Sequence, residues 1–238
     1  SDVFQAFYEE DVDRDTDVLF SVGGDGTFLD SAMRVKNHGV PVLGINSGRL
    51  GFLANIAQEE IPQAIHWLCA GDFDVEQREL VKFEMKDNPF AEFNYALNEI
   101  SVLKTERSSL LKVHAYIEEE YLTTYWADGV IVATPTGSTA YSLSCGGPIV
   151  ALGCDNLIIT PVSPHNLNMR PLILPGNVQI RLKVESRSGD FMLSADSRMQ
   201  RMSDNHELFI SSGDFKMNVV KMPDHSYYDT LRNKLNWG

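Results

Sequence analysis

Cysteine is scarce in this sequence: Cys69, Cys145 and Cys154 are the only three, an odd number with no C-x-x-C spacing. That excludes a disulfide framework and a paired-cysteine zinc site, and three reduced thiols lead us to expect a cytoplasmic protein. Long apolar runs are missing as well. No stretch of about 18 apolar residues is available to cross a bilayer, and the N-terminus carries no basic-then-apolar leader, so no membrane partner is expected. Positive charge is also short, with 20 Lys and Arg against 33 Asp and Glu and a formal net charge of −13. Nucleic acid and anionic lipid both need a basic face to displace counterions or meet headgroups, so neither is an expected partner. A bound polyphosphate would have to be met by local donors and a divalent cation. Internal repeats and low-complexity linkers are absent too, which excludes a solenoid.

What is present is ordinary globular material, 238 residues of which 43% are hydrophobic and 22% charged, fitting about one to two domains with a sizeable core. One stretch organises the rest. The β-rich run Asp17 to Val22 ends in Gly23-Gly24-Asp25-Gly26-Thr27 and then reads as a helix from Phe28. Glycine has no Cβ, so Gly23, Gly24 and Gly26 can take positive φ and let backbone N–H groups approach a phosphate that a larger side chain would hold off. Asp25 would repel phosphate, so its carboxylate should face a hydroxyl to be deprotonated or a metal ion. The residues alone leave equally open a plain turn in which Asp25 caps the helix.

Downstream, Phe28, Ala32 and Val35 recur at helical spacing, Gly39 is the expected stop, and Val40 to Ile45 is a second apolar strand. Strand, helix and strand within about thirty residues predict a βαβ unit with a parallel pair. The loop Asn46-Ser47-Gly48-Arg49-Leu50-Gly51-Phe52-Leu53 then falls at the carboxyl edge of that sheet, where open α/β sheets bind ligands. Ile61, Ala64, Ile65 and Leu68 mark another helix, with Pro62 in its first turn and Gly71 after its end. From Phe73 the period changes to 2: Val81, Phe83 and Met85 alternate with charged residues, as do Ile180, Leu182 and Val184, the pattern of strands with one wet face. The expected organisation is an α/β nucleotide-binding domain over 1–72 and a larger all-β domain of stacked sheets over 73–222. A short helix within 223–238, read from Tyr228, Leu231 and Leu235, is expected to pack back on the first domain.

Two more stretches carry chemistry. In Asp128-Gly129 to Ser144 a strand runs into Thr136, Gly137, Ser138, Thr139, Ala140 and Tyr141. Hydroxyls and free amides without charge suit a ribose and a base edge, although such residues also favour turns and caps. Asn98-Glu99 opens a strand, where amide and carboxylate together can hold vicinal sugar hydroxyls or an adenine.

Taken in order and spacing, Gly-Gly-Asp-Gly-Thr, Asn-x-Gly-x-Leu-Gly-Phe-Leu, Asn-Glu, Asp-Gly…Thr-Pro-Thr-Gly-Ser-Thr-Ala-Tyr-Ser and Pro-His-x-Leu-x-x-Arg-Pro resemble the NAD kinase family, the bacterial enzymes most of all. The resemblance runs from about Asp17 to the C-terminus. It implies an α/β domain, a larger β domain, a site between them, and a homodimer or homotetramer in which a neighbour helps to complete the site. It also implies transfer of the γ-phosphoryl of ATP, with Mg²⁺ or Mn²⁺, to the adenosine ribose 2′-hydroxyl of NAD. Asp25 resembles the general base. Gly23, Gly24, Gly26 and Thr27 resemble the phosphate-binding turn, and Phe52 lines the cleft. Asn98, Glu99, Asp128, Thr136, Gly137, Ser138, Thr139, Ala140, Tyr141 and Asp196 resemble the dinucleotide pocket, with Tyr141 as a stacking platform. No residue is assigned as a protein metal ligand. Family members usually begin with a further strand and helix, which would lie ahead of Ser1. His165, Arg170, Arg107 and Lys112 are expected to be structural or solvated. Two rivals remain on the residues alone, a diacylglycerol- or sphingosine-type lipid kinase and a non-catalytic dinucleotide-binding protein. The polar Thr-Pro-Thr-Gly-Ser-Thr stretch speaks against the first, and Asp25, which phosphate binding does not need, against the second.

Overall fold

The computed structural model describes residues 12–105 and 110–237; Arg107 therefore lies outside the described residues. The chain divides into two compact units, one running to Gln77 and resuming at Lys216, the other spanning Arg78–Phe215. Among the described residues no helix is long and apolar enough to cross a membrane.

In the first unit, β1 (Leu19–Gly23) and β2 (Val42–Asn46) run parallel, Leu19 opposite Val42 and Gly23 opposite Asn46. Both strands therefore end at the same edge. Between them lies α1 (Asp25–Val35), which buries Phe28, Ala32 and Val35, the i, i+4, i+7 set that shares one helical face. The helix stops at Val35, a turn earlier than Gly39 predicts, with Lys36 at φ 48°; Gly39, at φ 76°, serves the turn into β2 instead. α2 (Ile61–Ala70) has Pro62 in its first turn and ends on Gly71 in the left-handed conformation, the asymmetry its sequence predicts. β3 (Asp74–Arg78) follows.

The second unit is two six-stranded sheets. Its elements are β4 (Val81–Glu84), β5 (Tyr95–Ala96), β6 (Glu99–Leu103), β7 (Leu111–Ile117), β8 (Glu120–Ala127), β9 (Gly129–Ala133), the single turn α3 (Tyr141–Ser144), β10 (Asn156–Val162), β11 (Leu172–Pro175), β12 (Ile180–Glu185), β13 (Asp190–Ala195), β14 (Arg198–Ser203) and β15 (Glu207–Ser212). One sheet has the order β11-β10-β9-β6-β13-β14, the other β5-β4-β15-β12-β7-β8. Their inner faces share one core, in which Val102, Val130 and Phe191 of the first sheet join Phe83, Val113 and Leu182 of the second. β9 is buried along its whole length. Val130 and Val132 face that core, while Ile131 and Ala133 belong to a separate cluster with Val150 and Ile158. Burial on both faces makes β9 a continuous apolar run and a rigid lead-in to the Thr/Ser turn that follows it.

The chain then returns to the first unit as β16 (Met217–Lys221) and α4 (Tyr227–Leu235). β16 inserts into the first sheet, ordered β1-β2-β16-β3, with Val219 opposite Val42. The units thus divide at 77/78 and 215/216 rather than at 72/73 and 222/223. The reason is that Val220 and Met222 pack with Leu43, Ile45 and Ala64, a pairing that local periodicity does not reveal.

Candidate active site

The first cluster sits where β1 and β2 end. Asp25 is the first residue of α1, and Gly24 is its N-cap, with φ −101° and no side-chain capping bond. Asp25 is therefore not the cap. Its carboxylate instead accepts three consecutive backbone N–H groups of the loop after β2: Phe52 to Oδ2 at 2.9 Å, and Leu53 and Ala54 to Oδ1 at 3.0 Å each. A carboxylate offers about four lone-pair positions, so Oδ2 keeps one for a further donor. Gly51 makes this approach possible, because a Cβ there would lie 1.9 Å from Asp25 Oδ1. Asn46, buried at the end of β2, shapes the loop: its amide donates to the carbonyls of Arg49 (2.6 Å) and Ala54 (3.3 Å), and its Oδ1 accepts from Gly48 N–H (2.6 Å).

The glycines do not use their conformational freedom here. None of Gly23, Gly24 and Gly26 has positive φ, since the chain passes from extended strand straight into the helix. Gly23 is required by packing, a Cβ there meeting Thr27 Oγ1 at 2.3 Å, whereas Gly24 and Gly26 have nothing within 4 Å of a Cβ and leave open space over bare backbone. Phe52 is half-buried and holds Asp25 through its N–H rather than its ring.

The second cluster lies in the other unit. Asp196, at φ 51° in the hairpin turn between β13 and β14, accepts the N–H groups of Leu97 (2.8 Å), Asn98 (2.8 Å) and Glu99 (3.2 Å). Its own N–H donates to the Glu99 carbonyl at 3.0 Å. Burial raises the Asp196 carboxyl above the usual carboxylate range, against the pull of the three amides and of Arg198. Glu99 is pushed up to about 8, mainly by burial and further by the charge of Asp196, opposed by a hydrogen bond from the Tyr141 backbone. Its Oε2 is buried with no hydrogen-bond partner among the described residues. A neutral carboxyl there carries one donor as well as acceptors.

Asn98 is buried beside this pair, and its carbonyl accepts from Thr134 N–H at 2.9 Å. Gly137 packs on the same carbonyl so closely that a Cβ would stand 2.0 Å from it. Tyr141 is 38% exposed, and its hydroxyl is raised by burial, by its hydrogen bond with the Cys145 thiol, and by the charges of Asp128 and Glu99. Burial likewise raises the Cys145 thiol. Asp128 pairs with Lys104 at 2.8 Å. Ala140 is half-buried, its N–H donating to Gly137 O at 2.9 Å. The hydroxyls are less available than the sequence indicates. Ser138 is fully buried, donating to Pro135 O (2.6 Å) and accepting from Val150 N–H (3.0 Å), and Thr139 donates to Thr136 O (3.2 Å). Thr136 is buried as well.

Of the residues set aside, Arg170 donates to the carbonyls of Leu167 and Met169, both at 2.7 Å. His165 is exposed, its N–H donating to Trp126 O, and Lys112 stands 4.7 Å from the Trp126 ring centre.

Both halves of the chain match known family models, residues 4–73 the ATP-NAD kinase N-terminal domain and residues 97–222 the ATP-NAD kinase C-terminal domain. The chain belongs to the NAD kinase family. It is 46% identical over 222 residues to an NAD kinase of Cytophaga hutchinsonii, covering 93% of this chain and 76% of that protein. It is also 46% identical over 224 residues to one of Bacteroides fragilis, covering 94% and 77%. Among solved structures, yeast NADH kinase complexed with NADH superimposes with a TM-score of 0.85 at 30% identity, covering 94% of this chain and 67% of that one. An Archaeoglobus fulgidus NAD kinase in complex with ATP gives 0.77 at 26% identity, covering 94% and 84%. These matches do not favour the lipid-kinase alternative.

Several residues of this NAD kinase chain act in ways the motifs alone do not disclose. Thr134, fully buried, donates to Leu97 O (2.6 Å) and accepts from Gly137 N–H (3.0 Å), so it ties the Asn98 segment to the Thr/Ser turn. A threonine closing a buried apolar strand is the one sequence signal for it. Asn46 and Gly51 shape the loop that holds Asp25, a role legible only once the loop is seen to close on that carboxylate.

Proposed function

We propose that the chain is an NAD kinase that transfers the γ-phosphoryl of ATP to the 2′-hydroxyl of the adenosine ribose of NAD, giving NADP and ADP. The observation that carries the reading is Asp25 at the start of α1, aimed by three amides, with an acceptor position left on Oδ2. In this reading Oδ2 takes the 2′-hydroxyl proton as the new O–P bond forms and the bond from the γ-phosphorus to the bridging oxygen breaks. The open backbone at Gly24 and Gly26, together with Thr27, receives the triphosphate at the helix N-terminus. Among the described residues no group of three His, Cys, Asp or Glu side chains is arranged to hold a metal ion. A divalent cation, Mg²⁺ or Mn²⁺, would enter with ATP and would supply charge neutralisation on the transferred group.

We assign the dinucleotide to the second cluster. Asn98 and Glu99 anchor its hydroxyls or adenine, and the buried, unpartnered Glu99 Oε2 supports this, since such an atom is costly unless a ligand satisfies it. Tyr141 offers its exposed ring for stacking, and Asp128 and Ala140 frame the ribose. In this reading Thr136, Gly137, Ser138 and Asp196 build the pocket wall. The solved relatives bound to NADH and to ATP support the substrate pair. Self-association as a homodimer or homotetramer is supported by exposed Trp126, Leu172 and Ile173 on the edge strands β8 and β11, and a cytoplasmic setting by three free cysteines. The test is incubation with ATP, Mg²⁺ and either NAD or diacylglycerol. NADP formed only with ATP and NAD together supports the assignment, and a phospholipid product or no product contradicts it.

A further inference from the structure

The last turn of α4 ends on the loop that grips Asp25. Lys234 Nζ donates to the Leu50 carbonyl at 2.5 Å and stands 5.9 Å from the centre of the Phe52 ring. The loop is also held within itself, from Asn46 to Arg49 and Ala54 and from Gly51 N–H to Ala54 O, and to its surroundings through Asp25, through Ser47 N–H to Gly23 O and through Gln58 Nε2 to Ser47 O. Leu50, by contrast, is held by a side chain 184 residues away in sequence, brought there only because the chain returns to the first unit as β16 and α4.

The helix presenting Lys234 is itself anchored. Leu231 is buried, the Ser226 side chain caps the N-terminus by accepting from Tyr228 N–H, and His225 Nε2 lies 3.3 Å from Glu60 Oε1, while Glu60 Oε2 accepts Ala57 N–H at 2.7 Å. The Leu50 carbonyl and the Phe52 N–H that meets Asp25 Oδ2 lie in adjacent peptide planes joined at the Gly51 Cα. The Gly51 N–H, in the same plane as the Leu50 carbonyl, donates to Ala54 O at 2.9 Å and so ties that plane to the segment whose amides meet Asp25.

We infer that Lys234 is a positioning residue: by holding the Leu50 carbonyl and covering Phe52 it fixes the amides of residues 52–54 and, through them, the Asp25 carboxylate. The inference rests on the assignment of Asp25 above. It is tested by amide hydrogen exchange over residues 51–54 and steady-state kinetics on Lys234→Met and Lys234→Arg, with Asp25→Asn alongside. In Lys234→Met, exchange at Phe52 to Ala54 rises about tenfold, kcat falls about three- to tenfold, and the KM for NAD stays within about twofold. Lys234→Arg, which keeps a donor and a cation, restores both exchange and kcat. The melting temperature stays at the wild-type value in each, because Lys234 is exposed. Wild-type exchange and kcat in Lys234→Met, or equal losses in both variants, overturn the inference. An inactive Asp25→Asn beside a fully active Lys234→Met overturns the positioning role alone. A fully active Asp25→Asn instead removes the reading of Asp25, and exchange at 52–54 then decides whether Lys234 holds the loop.

Discussion

Asp25 accepts the N–H groups of Phe52, Leu53 and Ala54, and Asp196 accepts those of Leu97, Asn98 and Glu99. In each case one oxygen takes two amides and the other takes one. The surroundings differ. Asp25 stands at a helix start beside two glycines over open space, whereas Asp196 is enclosed, its N–H bonded back to Glu99 and its charge raising that neighbour. The same backbone grip therefore leaves one carboxylate beside open space and makes the other part of the surroundings that push the Glu99 carboxyl up to about 8. What a carboxylate does here is decided by what lies beyond its three amides.

The comparison breaks most sharply at Asp25. Asp25→Asn should lower turnover by about 10²–10⁴-fold, the range for a lost general base, and an assay of NADP formation reads it directly. Gly51→Ala tests the same geometry without touching the carboxylate. With a Cβ 1.9 Å from Oδ1, the grip must open, and kcat should fall by about 10²-fold while the KM for NAD changes little. On the other side, under the proposed assignment Asn98→Ala would leave the ligand's hydroxyls without a buried partner. It should raise the KM for NAD by about ten- to a hundredfold and leave that for ATP unchanged.

The smallest effect concerns proton balance at Glu99. The folded chain keeps that proton up to about pH 8, whereas the ordinary carboxyl releases it near 4.5. Between those values the folded state binds more protons than the unfolded state, so stability declines as pH rises through the window. Glu99→Gln has no such proton to lose. Its melting temperature should match wild type near pH 5 and exceed it by roughly a few degrees near pH 9. Parallel melting curves across that range would return Glu99 to an ordinary carboxylate.

Much of this was legible in the sequence where the signal is local. Helical spacing of Phe28, Ala32 and Val35, the Gly71 stop and the alternation of β12 all correspond to the structure, because each depends on one element burying one face. The parallel pair β1–β2 followed from a short βαβ run. What escaped is non-local. Met217–Lys221 looks like one more β-domain strand until it pairs with β2. The bonds from Asp25 to residues 52–54 and from Lys234 to Leu50 span 27 to 29 and 184 residues. The glycine turn misled in another way: its residues are needed for close packing and open space rather than for left-handed φ, and composition cannot separate these uses. Ser138 likewise reads as a ligand donor, yet its hydroxyl is taken up by Pro135 and Val150.

The most direct test of Asp25 as the base measures NAD affinity and turnover on one preparation of Asp25→Asn across a Mg²⁺ and Mn²⁺ titration. Asparagine keeps the size of the side chain and an oxygen for the Leu53 and Ala54 amides, sets an NH2 against the Phe52 N–H, and removes the capacity to take a proton. The predicted result is wild-type NAD binding with turnover depressed by about 10²–10⁴-fold at every metal concentration. Near-normal turnover at ordinary Mg²⁺, or recovery to within about tenfold of wild type at high metal, would contradict the assignment of Asp25 as the base.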